Sequence, residues 1–257
     1  MIFDPPHYLR DITLVGCGGT GSLIARSLAR ILYDMQQRRL HLPQVRFIDF
    51  DTVESRNCGR QLFQPQEIGQ PKSAVLARRY NLAFGLEIAA ITETVSAARH
   101  FPERSAGIII DAVDNHMARR ELAQVENAVF LSCGNHHSAG QVIIGSSHDR
   151  QRVLRALEQA DERIHALPSA YLLFPQLLEP EAEPAPTAAL SCAELTARGD
   201  QHLLINDAVA HAAAVYLYKL LHRQPITSFM TFTSIDDWPT TRSVAITPAE
   251  LRAYLAA

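Results

Sequence analysis

Apolar residues along this chain alternate between short dense runs and longer stretches at helical spacing. Ile12 to Val15 read as a buried parallel strand, and Leu23, Ile24, Leu28 and Ile31 recur on one face of a following helix. A second run, "VRFIDF", ends in acid and leads through a polar loop to a helix opened by Pro71 and reaching about Phe84. "EIAAITETV", "GIIIDAV", "AVFLSCG" and "GQVIIGS" supply a third to a sixth strand, and "HMARRELAQVE" is a helix between the fourth and fifth. This order predicts an α/β fold, a mostly parallel sheet flanked by helices and wound right-handedly.

From Asp149 the rhythm changes. A helix-like start gives way to "LLEPEAEPAPTAA", whose prolines and acids sustain neither a helix nor a central strand, so a mobile crossover loop is expected over about 160–200. Order returns in "HLLINDAVAHAAAVYLYKLLH", a helix with small and apolar residues nearly all round, suited to burial against a sheet or a partner subunit. "SFMTFTSI" and "RSVAIT" flank "DDWPTT" as a C-terminal antiparallel hairpin, and a short helix starts near Pro248. There is no internal repeat, and one domain accounts for residues 1–257.

Composition narrows the function classes. The 257 residues are 47% hydrophobic and 20% charged, which favours neither disorder nor a membrane role, and a formal net charge of -3 offers no general attraction to nucleic acid. No charged-then-apolar leader opens the chain and no apolar stretch reaches roughly 18 residues, so a cytoplasmic location is expected. The 4 cysteines, Cys17, Cys58, Cys133 and Cys192, form no CxxC pair, which signals neither a disulfide framework nor a zinc site.

The chemistry begins at "GCGGTG". Gly16, Gly18, Gly19 and Gly21 occupy the strand-to-helix turn, where free N–H groups at the positive end of a helix suit a phosphate; tight strand–helix packing is the plainer reading. Asp49 ends the second strand, where an acid can accept both ribose hydroxyls. "DFDTVESRNCGRQLFQPQEIGQPKSAVLA" then brings Asp51, Asn57, Arg60, Gln61 and Lys72 close behind it. Two cations and several amides beside a glycine turn suit a triphosphate better than a nicotinamide dinucleotide. His136 and His137 follow a strand end but have no companion at metal-ligand spacing.

"GCGGTG", "DFDTVESRNCGRQ", "GQPK" and "DAVDN" in this order resemble ThiF/MoeB-like enzymes, relatives of the ubiquitin-activating enzymes. The resemblance implies a Rossmann-like fold that dimerises, and an ATP-dependent adenylyltransferase that activates the C-terminal glycine of a small ubiquitin-like (β-grasp) or sulfur-carrier protein. It implies that Gly16, Gly18, Gly19 and Gly21 form the nucleotide turn, Asp49 grips the ribose, Asn57, Arg60 and Lys72 contact phosphates, and Asp114 holds magnesium. For Asp114 a helix cap is the structural alternative. Cys192, before the late helix, matches the place of the cysteine that relatives use for a thioester or acyl disulfide, with an inert half-buried thiol as the alternative.

Two departures stand out. The chain enters its first strand without the N-terminal helix whose arginine, in relatives, reaches across the dimer, and Arg10 is poorly placed to substitute. The paired CxxC zinc ligands of many relatives are missing, so no zinc is expected. These features and "LSCAELTARGDQ" are most similar to the ThiF-family member of the PRTRC cassette. Other functions open to such a chain are a tRNA-modifying dehydratase of the same superfamily, a non-catalytic nucleotide-binding dimer platform and an NAD-dependent dehydrogenase.

Overall fold

A computed structural model describes residues 1–5, 9–101, 107–180 and 202–256. Ten strands and eight helices lie among them, joined by three short 3-10 turns. Strands β1 (Ile2–Phe3) and β8 (Arg163–Ile164) pair in parallel as a small separate ribbon. The other eight form one sheet of order β10-β9-β7-β6-β5-β2-β3-β4.

Five strands of that sheet run parallel, namely β2 (Asp11–Val15), β3 (Gln44–Ile48), β4 (Ile88–Ile91), β5 (Gly107–Asp111) and β6 (Val129–His136). Their residues alternate between two apolar layers, as a strand period of two requires. Ile12, Leu14, Val45, Phe47, Ile108, Ile110, Val129 and Leu131 enter one layer, whereas Val15, Ile48, Ile109 and Phe130 enter the other. Helices α1 (Gly19–Gln37), α2 (Lys72–Phe84) and α7 (Ile205–Leu221) supply the first layer. The short helices α3 (Ala97–His100), α4 (His116–Leu122) and α6 (Ala170–Leu173) supply the second. The two remaining helices are α5 (Arg150–Glu158) and α8 (Pro248–Ala256).

Strand β7 (Ala139–Gly145) is antiparallel to β6, where the apolar rhythm alone suggested another parallel strand. Only His137 and Ser138 separate the two, with His137 at φ +37°, and a parallel return needs a dozen or more residues. Strands β9 (Ser228–Ser234) and β10 (Thr240–Ala245) form the expected antiparallel hairpin, and β9 extends the sheet from β7. Helix α4 is shorter than its pattern promised. A tight turn at Gln124 and Val125 replaces its last part and delivers Val125 to the second apolar layer. The expected crossover loop resolves through residue 180 into β8, α6 and a 3-10 turn at Pro175–Leu178, while its remainder lies outside the described residues.

After β2 the chain builds outward to β3 and β4, then returns to place β5 on the other side of β2. The C-terminal ends of β2 and β5 therefore flank the crevice in which open α/β sheets bind ligands. Among the described residues no helix is long and apolar enough to cross a membrane.

Central burial makes one contrast measurable. Leu14 is wholly buried on the central strand, and Leu82 is 81% exposed on α2. Leu14→Ala is expected to cost about 2–5 kcal/mol in urea or guanidinium unfolding, against within about 0.5 kcal/mol for Leu82→Ala.

Candidate functional site

The glycine turn is where strand and helix come closest. A Cβ on Gly21 would stand 1.9 Å from the Gly16 carbonyl oxygen, and Gly16 itself has φ +87° with the Ala112 carbonyl oxygen 2.6 Å from its own Cβ position. Packing alone therefore requires glycine at these two places. Gly19 lies against the Asn206 side chain at the start of α7. A Cβ on Gly18 would meet only Gln61 Nε2, at an ordinary 3.9 Å, so intramolecular packing does not explain this glycine. Gly18 is the N-cap of α1, where no side chain caps the helix and no acid occupies the first turn. The positive end of a long helix and its unbonded N–H groups are thus presented to the crevice.

Asp49 follows β3 and is almost fully buried. Its Oδ2 accepts the Cys17 N–H at 2.5 Å and its Oδ1 accepts the Asp51 N–H at 2.8 Å. The carboxylate expected to grip a ribose thus also fastens the glycine turn to the neighbouring strand, with lone pairs remaining on both oxygens. Burial raises its pKa, and the two backbone donors and nearby Lys72 oppose that rise. Cys17 is buried beside it, and burial raises its thiol well above the ordinary value, as befits small filler rather than a nucleophile. Cys133 is likewise buried, and its thiol is pushed up by desolvation.

Lys72 opens α2 with its side chain buried, and its Nζ donates to Asp51 Oδ2 at 2.8 Å. The Lys72 N–H also donates to the Asp51 carbonyl at 2.9 Å, so backbone and side chain hold the same pair together. The segment between them turns back over α1. Asn57 Oδ1 accepts the Glu54 N–H at 2.8 Å, completing the first 3-10 turn, Ser55–Asn57, and the Gln61 N–H donates to the Asn57 carbonyl at 2.9 Å. Leu62 N–H donates to Ser22 Oγ in the first turn of α1 at 3.3 Å. This docking brings buried Gln61 to the glycine turn, where its Oε1 is sequestered without a hydrogen-bond partner, and leaves Arg60 half-buried in the same loop. Buried amide oxygens are seldom left so.

Asp114 lies just beyond β5, on a turn whose Ala112 carbonyl touches Gly16. It is exposed and does not cap α4. Asn115 does, accepting the Ala118 N–H at 2.9 Å. Among the described residues no group of three His, Cys, Asp or Glu side chains is arranged to hold a metal. Magnesium needs only one or two carboxylates when phosphate oxygens and water complete its shell, so a lone Asp114 fits that cation. Cys192 lies outside the described residues.

Sequence patterns missed a polar cluster on the far side of the turn. Thr20 Oγ1 donates to Asn206 Oδ1 at 2.9 Å, and Asn135 Nδ2, at the end of β6, donates to the same oxygen at 2.6 Å and to Thr20 Oγ1 at 3.0 Å. The cluster joins the starts of α1 and α7. Its one signal in the sequence was Asn206, a buried amide in an otherwise apolar helix. Asp111 was missed as well, although it ends β5 as an acid just as Asp49 follows β3.

Solved structures share this architecture. The chain superposes on E. coli MccB determined with ATP at a TM-score of 0.55 and 15% identity, covering 92% of this chain and 64% of that one. MccB determined with AMPCPP and MccA gives 0.57 and 15% over the same shares. PaaA gives 0.55 and 16%, again over 92% and 64%. The chain thus spans under two thirds of the length of these proteins, and at such identities the likeness is one of fold. No curated protein sequence matches the chain. The family model for the ThiF family, in contrast, matches residues 10–250, which takes in the glycine turn, the Asp49–Lys72 segment, the Asp114 turn and α7, and the chain belongs to the ThiF family.

Proposed function

We propose that this protein is an ATP-dependent adenylyltransferase that activates the C-terminal carboxylate of a small partner protein, best matched by a glycine-ended ubiquitin-like or sulfur-carrier protein of β-grasp type. The observation that carries the reading is the uncapped N-terminus of α1 at Gly18, a glycine that intramolecular packing does not require and beside which the nearest side-chain atom is the Gln61 Nε2 donor. Family membership supports it, as does the likeness in fold to MccB, a protein solved with ATP and with AMPCPP beside MccA.

In this reading the N–H groups of residues 18–21 take phosphate oxygens, and Asp49 uses its spare lone pairs on ribose hydroxyls. Arg60 and Lys72 face the phosphate charge, with Lys72 sharing its proton donors between Asp51 and the ligand. Magnesium on Asp114 would neutralise charge on the phosphates. The partner's carboxylate oxygen bonds to the α-phosphorus, the bond from that phosphorus to the bridging oxygen breaks, and pyrophosphate leaves with the electron pair. No protein base is required, because a carboxylate is already ionised at neutral pH. The chain's task is to hold two anions together in line. In a following step the Cys192 thiolate attacks the activated carbonyl, forming a thioester and releasing AMP.

Asp114 offers the cleanest test, because its side chain is exposed and makes no hydrogen bond with the other described residues. Asp114→Asn is expected to melt within about 2 °C of the parent yet lose about 10²–10³ in partner-driven ATP–pyrophosphate exchange. Exchange retained at the parent rate would remove Asp114 from the reaction. For the second step, intact-mass analysis after incubation with ATP, magnesium and the small partner protein should show a covalent adduct on the parent chain, absent from Cys192→Ala. An adduct on both, or on neither, would end the assignment of Cys192.

A further inference from the structure

The C-terminal end of β5 carries a buried acid that the nucleotide reading leaves unused. Asp111 is 3% exposed, and its Oδ2 accepts the Tyr171 hydroxyl at 2.6 Å while its Oδ1 accepts the Val113 N–H at 3.2 Å. The Val113 carbonyl in turn accepts Arg119 from α4 at 3.1 Å. The peptide units on both sides of Val113 are therefore held, the second of them leading into Asp114. Ala112 is also fixed, its N–H on the Val15 carbonyl at 2.9 Å.

Tyr171 is equally constrained. Its ring lies edge-on to Phe130 with centroids 6.2 Å apart, and the His148 ring packs beside it at 5.6 Å. His148 Nε2 lies 3.1 Å from the Val125 carbonyl, so that nitrogen donates and Nδ1, 2.7 Å from Ser169 Oγ, accepts. Ser169 is the residue that caps α6, accepting the Leu172 N–H at 3.2 Å. A second tie lies further along, where Arg120 Nε donates to the Leu178 carbonyl at 2.6 Å. The Asp111–Tyr171 bond is thus the buried link between the Ala112–Asp114 turn and the segment that leads out of α6. A carboxyl this deep is expensive to ionise unless it is hydrogen-bonded, as Asp111 is by Tyr171 and Val113.

We infer that the Asp111–Tyr171 hydrogen bond positions Asp114, making Tyr171 a positioning residue for the cation-binding turn. The inference rests on the proposed nucleotide reading, in which Asp114 carries magnesium. Tyr171 acts through Asp111 and the Val113 N–H, and touches neither nucleotide nor metal. Removing its hydroxyl takes away the hydrogen bond that fixes Asp111 Oδ2, so the carboxylate is held less firmly and the restraint it places on the Val113 N–H weakens.

The test is calorimetric binding of ATP to the full chain, once in EDTA and once in saturating magnesium chloride. The parent chain should bind more tightly with magnesium. Tyr171→Phe, which keeps the ring and its packing, should match the parent in EDTA, because the glycine turn is untouched, and should lose about tenfold of the magnesium-supported gain. Asp111→Asn, which still offers an oxygen to Val113 and a polar group to Tyr171, should fall between the two. Equal magnesium gains in parent and Tyr171→Phe would overturn the inference. So would an equal loss under both conditions, the mark of general loosening. A parent chain that binds no ATP would overturn the nucleotide reading and this inference together, a pattern distinct from either of those.

Discussion

The contact that sets everything else is the approach of α1 to the turn after β2, where the Gly21 Cα passes so near the Gly16 carbonyl that no side chain can come between them. This approach places the helix axis against the end of the central strand and aims its positive terminus at the crevice. The Asp49 carboxylate then locks the arrangement by accepting the Cys17 N–H from the next strand. Of the two readings that the sequence offers as alternatives, strand–helix packing accounts for Gly16 and Gly21, and the proposed phosphate binding would fall to Gly18. The N–H groups after Gly18 carry no side-chain cap, which is what that proposal uses.

Two buried acids repeat one device. Asp49 and Asp111 each stand at the C-terminal end of a parallel strand and each accepts a backbone N–H of an adjoining turn. Desolvation raises both pKa values. The sign follows from linkage: between the ordinary carboxylate pKa and the raised folded one, the native state holds more protons than the unfolded chain. Stability therefore falls as pH rises through that window. Both acids thus cost the fold something at neutral pH, and what they secure in return is the shape of the two turns that border the crevice.

Most of the sheet was legible because burial on both faces turns parallel strands into dense apolar runs, as in "GIIIDAV" and "AVFLSCG". The direction of β7 was not legible from that signal, since antiparallel and parallel neighbours look alike inside a covered sheet. Only the shortness of the link at His137 and Ser138 separates them. Around the crevice, Asp49, Asp51, Gln61 and Lys72 could be grouped from sequence order, because they follow one another along one loop and helix start, and Lys72 pairs with Asp51. Asn135 and Asn206 escaped notice because they meet the glycine turn from remote parts of the chain, and no local period records such a meeting. Tyr171 escaped for the same reason, its partner lying 60 positions away.

Charge balance shows why a cation belongs in the proposed reaction. Asp49, Asp51, Asp111 and Asp114 stand at and just beyond the ends of β3 and β5, against Lys72, Arg60 and Arg119, and Lys72 already spends a donor on Asp51. A polyphosphate entering with its full charge would meet more carboxylate than guanidinium or ammonium, and the dipole of α1 contributes only about half a charge. The partner's carboxylate must then approach the same phosphates. In the proposed reaction a divalent ion on exposed Asp114 would offset both repulsions at once, since it would turn one of the opposing carboxylates into a ligand and neutralise phosphate charge. Under that proposal the acids around this crevice would favour a metal–nucleotide complex over the bare nucleotide, and the turn that carries Asp114 would be the place where small errors of geometry matter most.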